Sequence, residues 1–477
     1  MSGFPGPRFA GADLMRSAFD SLAVASKVGE IFWTRSAGAE AVQAAAARRF
    51  TELVGFARAY SPFYRRAWRS LPDRALSLRE LPVVGKRELM ASFDDWATDR
   101  RIERRGVERF LADRGRIGDD YLDRFVVWKS SGSTGEPGIY VQDREALATY
   151  DALLIVQLQS RNVAARYAWS VLAEGGRAAL VAATGDHFAS IASWRRTCRA
   201  LPWQSAEAFS VMDPLPLLVD KLNAYAPSFL ASYPTTLALL AREKRAGRLR
   251  IAPSCIWSGG EHLSEAVRAS VENAFGAVLV NEYGASECMC IAFSCPHGTL
   301  HLNADWVLLE PVDRDYRPVP PGERAHTVLL TNLANRAQPV IRYDLGDSVT
   351  MAARACRCGS PLPVIVPEGR RDDVLALKAR DGRVIRLSPL ALSTVVEDAT
   401  PCHPYQLLQV APDRIALRLG GDDAASREAG LRHATRALGA YLAQQSLDNV
   451  RVFADTAPPT RDARSGKVRE VVRHSSP

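Results

Sequence analysis

Short apolar runs alternate with longer amphipathic stretches through the middle of the chain, from about residue 124 to residue 305. The apolar runs predict strands, whereas the amphipathic stretches predict helices. The predicted strands are Arg124–Trp128, Ala178–Ala182, Ser228–Leu230, Cys255–Trp257 and Ala277–Asn281. The predicted helices are Arg144–Arg161, Pro214–Ala224, Thr235–Ala246 and Ser264–Phe275. This alternation indicates an α/β domain with a mixed, mostly parallel sheet, in which ligand-binding loops follow the carboxyl ends of the strands.

The two flanks of this region have different patterns. Residues 13 to 60 have helical apolar spacing and few helix breakers. After Asp305 the sequence is rich in proline and short apolar runs, which predicts a β-subdomain of hairpins and bulges. The tail beyond residue 373 predicts a small α+β domain. Its predicted strands are Val374–Leu377, Val384–Leu387, Gln406–Val410, Arg414–Leu419 and Asn449–Ala454, and its predicted helices begin at Pro389 and at Ala424.

Length and composition narrow the class of protein. A chain of 477 residues is too long for one ordinary core, and 47% hydrophobic with 24% charged residues is typical of soluble globular proteins. The net charge of +8 suits an anionic small molecule as well as it suits RNA. The sequence has no basic run interleaved with aromatic residues, so we do not expect a nucleic-acid partner. No apolar stretch approaches the roughly 20 residues that span a bilayer. Because no secretory signal is evident either, we expect a cytoplasmic protein with no membrane association.

The stretch KSSGSTGEPG, residues 129 to 138, follows the first predicted strand. Its glycines allow backbone amides to approach phosphate oxygens, and its serine and threonine hydroxyls add donors. It is not a Walker A loop, because no Gly-Lys-Ser/Thr follows four intervening residues. On its own the stretch is weak evidence for phosphate binding, because a flexible loop has the same composition.

Three further stretches carry candidate chemistry. In LVNEYGASECMC, residues 279 to 290, Glu287 follows hydroxyl side chains, and a carboxylate in that setting suits Mg²⁺; the alternative is a solvated glutamate. In IRYDLGDSV, residues 341 to 349, an acid after the glycine turn can accept hydrogen bonds from a ribose diol, although a plain β-turn has the same pattern. In RDARSGKVREVV, residues 461 to 472, Lys467 lies in a polar loop of the kind that usually holds a solvated lysine.

Taken in order, these stretches resemble the acyl-adenylate-forming superfamily and, within it, the phenylacetate–coenzyme A ligase-like branch. The matching pieces are SSGSTGEPG, SYP at 232–234, SGGE at 258–261, EYGASE at 282–287, RYDLGD at 342–347, GRRDD at 369–373 and SGK at 465–467. Each piece is weak, but their shared order over most of the chain is specific. The resemblance implies a large adenylation domain, residues 1–370, followed by a small mobile domain, residues 371–477, on a hinge.

The resemblance also implies roles for individual residues. The nucleotide would be bound by Ser131, Gly132, Ser133, Thr134 and Gly135 at the phosphates, by Ser258, Gly259, Gly260, Glu282, Tyr283 and Gly284 around the adenine, and by Asp347 and Arg370 at the ribose. Ser286 would lie near the α-phosphate, and Glu287 would help to hold Mg²⁺. Asp372 matches the hinge, and Lys467 matches the catalytic lysine that bridges the carboxylate and the α-phosphate. One residue departs from the pattern: Glu136 adds a negative charge to the phosphate loop, where relatives often have lysine or a neutral residue.

The implied reaction uses ATP to convert a carboxylate into an acyl-AMP with release of pyrophosphate, and coenzyme A is the expected acceptor of the acyl group. Two anions must meet in the first step, so a metal ion, a lysine and backbone donors are needed to offset their repulsion. A carrier-protein thiol or an amine is an alternative acceptor, and a catalytically idle nucleotide-binding protein is an alternative function. A homodimer is an open alternative for the oligomeric state.

The acid is expected to be aromatic. In the family the acid lies beside the adenylate, and here Tyr140, Tyr233, Trp257 and Ala285 suggest a flat apolar slot at that place. The alternative is that these aromatic residues belong to the core, as aromatic residues near strand ends commonly do.

A metal site is predicted apart from this chemistry. CPHGTLH, residues 295 to 301, and CRCG, residues 356 to 359, together offer Cys295, His301, Cys356 and Cys358, a Cys₃His set that suits structural zinc. His297 competes for the histidine position. The alternative is a group of reduced thiols in a core. A closed set of four ligands leaves no position for a water, which disfavours a zinc hydrolase.

Overall fold

The computed structural model describes residues 11–130, 137–159, 176–200, 205–261, 263, 265–367, 375–387, 389–400, 405–420, 424–460 and 471–473. The first part is helical, and the apolar spacing of residues 13 to 60 predicts its first two helices. Its helices are Gly11–Ser36, Ala39–Tyr60, Pro62–Ala67, Lys86–Ala91, Phe93–Trp96 and Arg104–Ala112. The third of these begins with a capped first turn, because Ser61 accepts a hydrogen bond from the Tyr64 amide and Pro62 has no amide hydrogen to leave unpaired. The first helix is held to the rest by Arg35, which lies 2.8 Å from the fully buried carboxylate of Asp305.

Strands occupy most of the remaining large domain. They are β1 (Asp120–Tyr121), β2 (Phe125–Lys129), β3 (Ile139–Gln142), β4 (Ala178–Ala182), β5 (Ala206–Ser210), β6 (Phe229–Ser232), β7 (Cys255–Ser258), β8 (Val278–Ala285), β9 (Cys288–Ser294), β10 (Leu300–Leu302), β11 (Val307–Val312), β12 (Thr327–Asn332), β13 (Tyr343–Asp344), β14 (Val349–Met351) and β15 (Val364–Pro367). The helices among them are Arg144–Gln159, Ala189–Ala200, Leu215–Tyr225, Pro234–Arg245 and Glu265–Phe275.

A nine-stranded sheet organises the large domain, in the order β14-β15-β10-β9-β8-β7-β6-β4-β5. The five strands from β8 to β5 are parallel, and β9, β10, β15 and β14 continue the sheet with antiparallel pairing. The sheet is therefore mixed, as the sequence predicts. Because its parallel strands share one direction, the segments after β6, β7 and β8 meet at a single edge.

Two smaller antiparallel sheets flank it, β1-β2-β3 and β11-β12-β13. The first changes one detail of the sequence interpretation. The strand predicted at 124–128 does not join the parallel sheet but pairs with β3, which lies between the glycine-rich stretch and the helix Arg144–Gln159. That stretch therefore connects two strands of an antiparallel hairpin.

The C-terminal part forms its own core. It contains β16 (Leu375–Lys378), β17 (Val384–Leu387), β18 (Tyr405–Ala411), β19 (Arg414–Leu419), β20 (Arg451–Ala454) and β21 (Val471–Arg473), with helices Pro389–Ala399 and Ala424–Gln444. The sheet order β20-β19-β18-β21 buries a cluster that includes Leu392, Leu417 and Leu438 and is separate from the cores of the large domain. The predicted domain boundary at 370/371 falls in residues 368–374, outside the described residues, and it stays a prediction.

Among the described residues, no helix combines the length and the apolar character that a membrane crossing requires.

Candidate functional site

The candidate site lies at the edge of the sheet where β6, β7 and β8 end. Gly259 and Gly260 follow β7, and the Gly259 amide donates a hydrogen bond to the Ser232 carbonyl at 3.3 Å. Gly260 has a φ of +81°, and a Cβ atom there would lie 3.1 Å from the ring of Tyr233. Glycine is therefore required at this position both by the backbone conformation and by the neighbouring ring.

Strand β8 brings most of the EYGASE motif into the sheet. The sequence predicts that this motif follows a strand ending at Asn281, but the strand continues to Ala285. Its pairing with β9 shifts register between Tyr283 and Ala285, which leaves Gly284 at the irregularity. Such a bulge re-aims the side chains on either side of it.

Tyr283 and Asp347 are brought together across the site. The Tyr283 hydroxyl donates a hydrogen bond to Oδ2 of Asp347 at 2.9 Å, although the two residues are 64 positions apart. These are the two residues to which the resemblance gives the adenine and the ribose. The contact brings the EYGASE and RYDLGD motifs, each of which is weak on its own, to the same location.

Glu287 is held by two buried tyrosines. Its Oε1 atom accepts hydrogen bonds from the hydroxyls of Tyr140, at 2.6 Å, and Tyr343, at 2.7 Å. Burial, and next the charge of Glu287, raise the pKa of both phenols, so both remain protonated donors. No hydrogen bond to Oε2 is found among the described residues. A buried carboxylate with one oxygen engaged and one available suits a hard cation such as Mg²⁺.

The turn that carries Ser286 and Glu287 is anchored from both sides. The Trp128 indole donates to the Ser286 carbonyl at 2.8 Å, and the side-chain amide of Asn332 donates to the Glu287 carbonyl at 3.1 Å. Trp128 lies on β2, which leads into the glycine-rich stretch. The anchor therefore fixes the distance between the predicted metal-binding turn and the base of the predicted phosphate loop.

The base of that loop is closed by a pair of hydrogen bonds. The Ser130 amide donates to the Gly138 carbonyl, and the Gly138 amide donates to Oγ of Ser130, both at 2.8 Å. Lys86 Nζ lies 3.3 Å from the same Oγ, and Lys129 forms an ion pair with Asp186. Sequence reasoning missed Lys86, because the tertiary fold alone places the start of its helix beside the loop.

Several predicted site residues lie outside the described residues. They are Ser131, Gly132, Ser133, Thr134 and Gly135 of the phosphate loop, with Glu136, and also Arg370, Asp372 and Lys467. Their roles stay predictions.

Glu282 lies beside Trp257. Its Oε2 atom accepts a hydrogen bond from the Trp257 indole at 2.8 Å, and its Oε1 atom accepts one from the Cys290 amide at 3.2 Å. Desolvation raises the pKa of this carboxyl group above its ordinary value. The hydrogen-bonded Trp257 ring packs edge-on against Phe293, with 5.5 Å between ring centroids.

The remaining predicted site residues are more enclosed. Tyr140 and Tyr233 are buried, and the Tyr233 hydroxyl accepts a hydrogen bond from the Ala183 amide at 3.3 Å. Ser258 is buried as well, and no partner for its hydroxyl is found among the described residues. Ala285 is half-buried. Sequence reasoning also missed Tyr343; the only available signal was a tyrosine next to the aspartates of RYDLGD.

The Cys/His group comes together as a compact cluster. Ligand atoms of Cys295, His301, Cys356 and Cys358 all lie within 4.8 Å of one another. The Cys295 and Cys356 sulfurs are 3.8 Å apart, and Cys358 Sγ is 3.3 Å from Nε2 of His301. His301 Nδ1 lies 3.0 Å from the Leu362 carbonyl, a contact that leaves Nε2 for a metal. The ligand atoms that come together include His301 and not His297, so we expect His301 to be the ligand.

The cluster is remote from the nucleotide motifs along the sheet. It lies at the far end of β9, whose first residue, Cys288, is next to Glu287. At about 3.3 Å per residue, the length of β9 separates the two sites by roughly 20 Å. A hydrogen bond from the Cys358 amide to the Cys356 sulfur lowers the pKa of the Cys356 thiol to about 6, which favours the thiolate that zinc binds.

No family model matches the chain. Two relatives match parts of it. A phenylacetate-coenzyme A ligase of Thermus thermophilus is 26% identical over 280 residues, which are 54% of this chain and 62% of that protein. Protein CapK of Staphylococcus aureus is 24% identical over 135 residues, which are 28% of each chain. The matches thus span less than two thirds of the relatives' own length.

Solved structures extend the likeness over nearly the whole chain. A 2-hydroxyisobutyryl-CoA ligase in complex with 2-HIB-AMP and CoA in the thioesterification state has a TM-score of 0.55 at 22% identity, covering 90% of this chain and 89% of its own. An open conformation of a 2-hydroxyisobutyryl-CoA ligase has a TM-score of 0.51 at 21% identity and covers 91% of each chain. The fold is therefore that of these ligases. The predicted α/β class and the resemblance drawn from the motifs are confirmed.

Proposed function

We propose that this chain, which has the fold of the acyl-adenylate-forming enzymes, activates a carboxylic acid with ATP and transfers the acyl group to coenzyme A. The observation that carries the proposal is the hydrogen bond between Tyr283 and Asp347. It joins the two motifs assigned to the nucleoside, next to the turn that holds Glu287 and at the sheet edge where ligands of α/β folds bind.

The first step is adenylation. A carboxylate oxygen of the acid bonds to the α-phosphorus of ATP, and the bond from that phosphorus to the bridging oxygen breaks, releasing pyrophosphate. Tyr283 and Asp347 hold the nucleoside, and Ser286 lies near the α-phosphate. Glu287 would hold Mg²⁺, which when bound neutralises phosphate charge. Its buried carboxylate, whose Oε1 atom is fixed by two tyrosine hydroxyls, supports this role.

Lys467 completes the adenylation site in this proposal. Its ammonium group would bridge the acid and the α-phosphate and so offset the repulsion between two anions. The small domain would then rotate about Asp372 and remove this lysine before the second step. In that step a thiol sulfur bonds to the acyl carbon and loses its proton, and AMP leaves with the oxygen that joined it to the acyl group.

Coenzyme A is preferred as the acceptor because a matching relative and matching structures are named as coenzyme A ligases. A carrier-protein thiol or an amine acceptor has no comparable support. The acid is proposed to be aromatic, because Tyr233 and Trp257, which the sequence analysis assigns to the acid, are aromatic residues at the ends of β6 and β7. The Cys₃His cluster is proposed to bind structural zinc, and we place the enzyme in the cytoplasm, where its clustered thiols would stay reduced.

Acid-dependent exchange of labelled pyrophosphate into ATP tests the proposal. A panel of aryl and short acyl carboxylates, with product analysis in the presence and absence of coenzyme A, should identify the acid and the acceptor. Lys467→Ala should abolish the exchange and leave the circular dichroism spectrum unchanged. The matched control is Lys378→Ala, at an exposed lysine of β16 in the same domain. Exchange that survives Lys467→Ala unchanged would refute the mechanism.

A further inference from the structure

A half-buried carboxylate without a cation lies at the end of β8. Glu282 receives two hydrogen bonds, and both donors, the Trp257 indole and the Cys290 amide, are neutral. Within the part of the chain that the structure describes, no arginine, lysine or histidine forms an ion pair with it. A desolvated carboxylate usually acquires a charge partner, so this one is incompletely compensated.

Two glycines lie beside this carboxylate, so no side chain from either position covers it. A Cβ atom added at Gly284 would lie 3.4 Å both from a Glu282 oxygen and from the Cys290 amide nitrogen, and one added at Gly259 would lie 3.9 Å from the other Glu282 oxygen. A residue larger than glycine at either position would therefore crowd the acidic group. Glu282 itself is only half-buried, so a ligand can reach it.

The direction of β8 turns Glu282 away from the nucleoside side, in contrast to the place near the adenine that the resemblance implies for it. Successive side chains of a strand point to opposite faces, so Glu282 and Tyr283 project in opposite directions. Tyr283 contacts Asp347 on the nucleoside side. Glu282 therefore points to the other side of the strand end, where it contacts Trp257, a residue that the sequence analysis assigns to the acid.

The surroundings are electrically negative. Burial, and then the charges of Glu287 and Glu282, raise the pKa of the Cys288 thiol. The third acid nearby, Asp151, is already paired with Arg196 at 2.5 Å. A carboxylate has about four acceptor directions, and Glu282 uses two of them for its neutral donors. A cationic group on a ligand can thus bind it without displacing either donor.

We propose that Glu282 selects a carboxylic acid that carries an aliphatic amine, whose ammonium group pairs with this carboxylate while the acid group is adenylated. The inference rests on the proposed function and specifies its substrate class. The competing explanation gives Glu282 a structural task alone, as the acceptor that fixes the Trp257 ring.

Matched pairs of acids test the selection. In each pair an aminomethyl group replaces an ethyl group of similar size: 4-(aminomethyl)benzoate against 4-ethylbenzoate, the corresponding 3-substituted pair, and β-alanine against butyrate. The measured quantity is kcat/KM for pyrophosphate exchange. In at least one pair, the wild-type enzyme should prefer the amine by tenfold or more.

Two variants separate selection from structure. Glu282→Gln keeps the size and an acceptor oxygen but removes the charge, and the amine preference should fall at least tenfold. Trp257→Phe removes the indole donor but keeps the carboxylate, so the preference should persist. A purely structural Glu282 would make both variants lose activity equally for both members of a pair.

The outcomes are distinguishable. Exchange with the ethyl-substituted acids but no amine preference in any pair overturns this inference and leaves the proposed function standing. An amine preference that survives Glu282→Gln also overturns the inference. No exchange with any acid, in a panel that includes the unsubstituted aryl and short acyl acids, overturns the proposed function together with it.

Discussion

The hydroxyl of Tyr343 donates a hydrogen bond to Glu287 at 2.7 Å, and the Tyr140 hydroxyl donates to the same oxygen. The three residues come from β13, from the turn after β8 and from β3, so three sheets of the large domain meet at this carboxylate. Two fixed donors determine where the carboxylate points before any metal arrives. Preorganisation of this kind lowers the cost of assembling a charged site.

Removing one phenol should therefore impair catalysis without unfolding the protein. A hydrogen bond to a charged group contributes about 1.5–3 kcal/mol, so Tyr343→Phe should reduce the exchange rate by about tenfold or more. Titration of Mg²⁺ during exchange checks whether the metal requirement changes as well. The matched control is Tyr441→Phe, at a tyrosine buried in the core of the small domain. If the two variants behave alike, Tyr343 does not position Glu287.

The contact between Tyr283 and Asp347 should affect ATP rather than the acid. Asp347→Asn keeps the shape of the side chain but weakens acceptance from both Tyr283 and a ribose diol. We expect the KM for ATP to rise about tenfold, since one charge-assisted hydrogen bond is lost, with a smaller change in the KM for the acid. Initial rates of exchange, with each substrate varied in turn, make the measurement. A rise confined to the acid would contradict the assignment of Asp347 to the nucleoside.

The parallel part of the fold is predictable from sequence because its strands are buried on both faces and appear as continuous apolar runs. β4, β6 and β7 are found within a few residues of their predicted positions. β3, IYVQ, is harder to predict, because it follows a stretch that contains glycine and proline and because only the hairpin fixes β2 as its partner. β9, CMCIAFS, begins at the residue directly after the EYGASE motif and is not among the predicted strands.

The site is predictable to the extent that its chemistry is local in sequence. Soft ligands at close spacing indicated the Cys/His cluster, and the choice between His297 and His301 needed the tertiary structure. The link between Glu287 and Tyr343 spans 56 residues, and no local pattern encodes it. The role of Glu282 depends on which way a strand faces at a bulge, which a short motif does not specify.

The Cys₃His cluster should hold one zinc ion per chain. Metal analysis of the purified protein should find zinc near stoichiometric amounts, and Cys358→Ser should lose it and lower the melting temperature, because a closed zinc site stabilises the fold around it. Exchange activity measured well below that temperature should remain, since the cluster lies roughly 20 Å from the nucleotide motifs along β9. Cys198→Ser, on the helix Ala189–Ala200, is the control and should retain zinc. A metal-free wild-type protein of unchanged stability would contradict the assignment.

A substitution at Gly138 tests the role of the Glu287 carboxylate by displacing one of its two hydrogen-bond donors. A Cβ atom at this position would lie 2.5 Å from the Tyr140 hydroxyl, which is buried and cannot move into solvent. Gly138→Ala should therefore displace the phenol from Glu287 and lower the exchange rate at least as much as Tyr140→Phe. Gly439→Ala is the control, because that glycine lies in the helix Ala424–Gln444 with no other atom within 4 Å of an added Cβ. It should leave activity unchanged and raise stability by up to about 1 kcal/mol, since alanine favours helix more than glycine does.

The double variant of Gly138→Ala and Tyr140→Phe should lose little activity beyond either single change, because both changes act by removing the same hydrogen bond. Fully multiplicative losses would show that Gly138→Ala acts elsewhere in the loop.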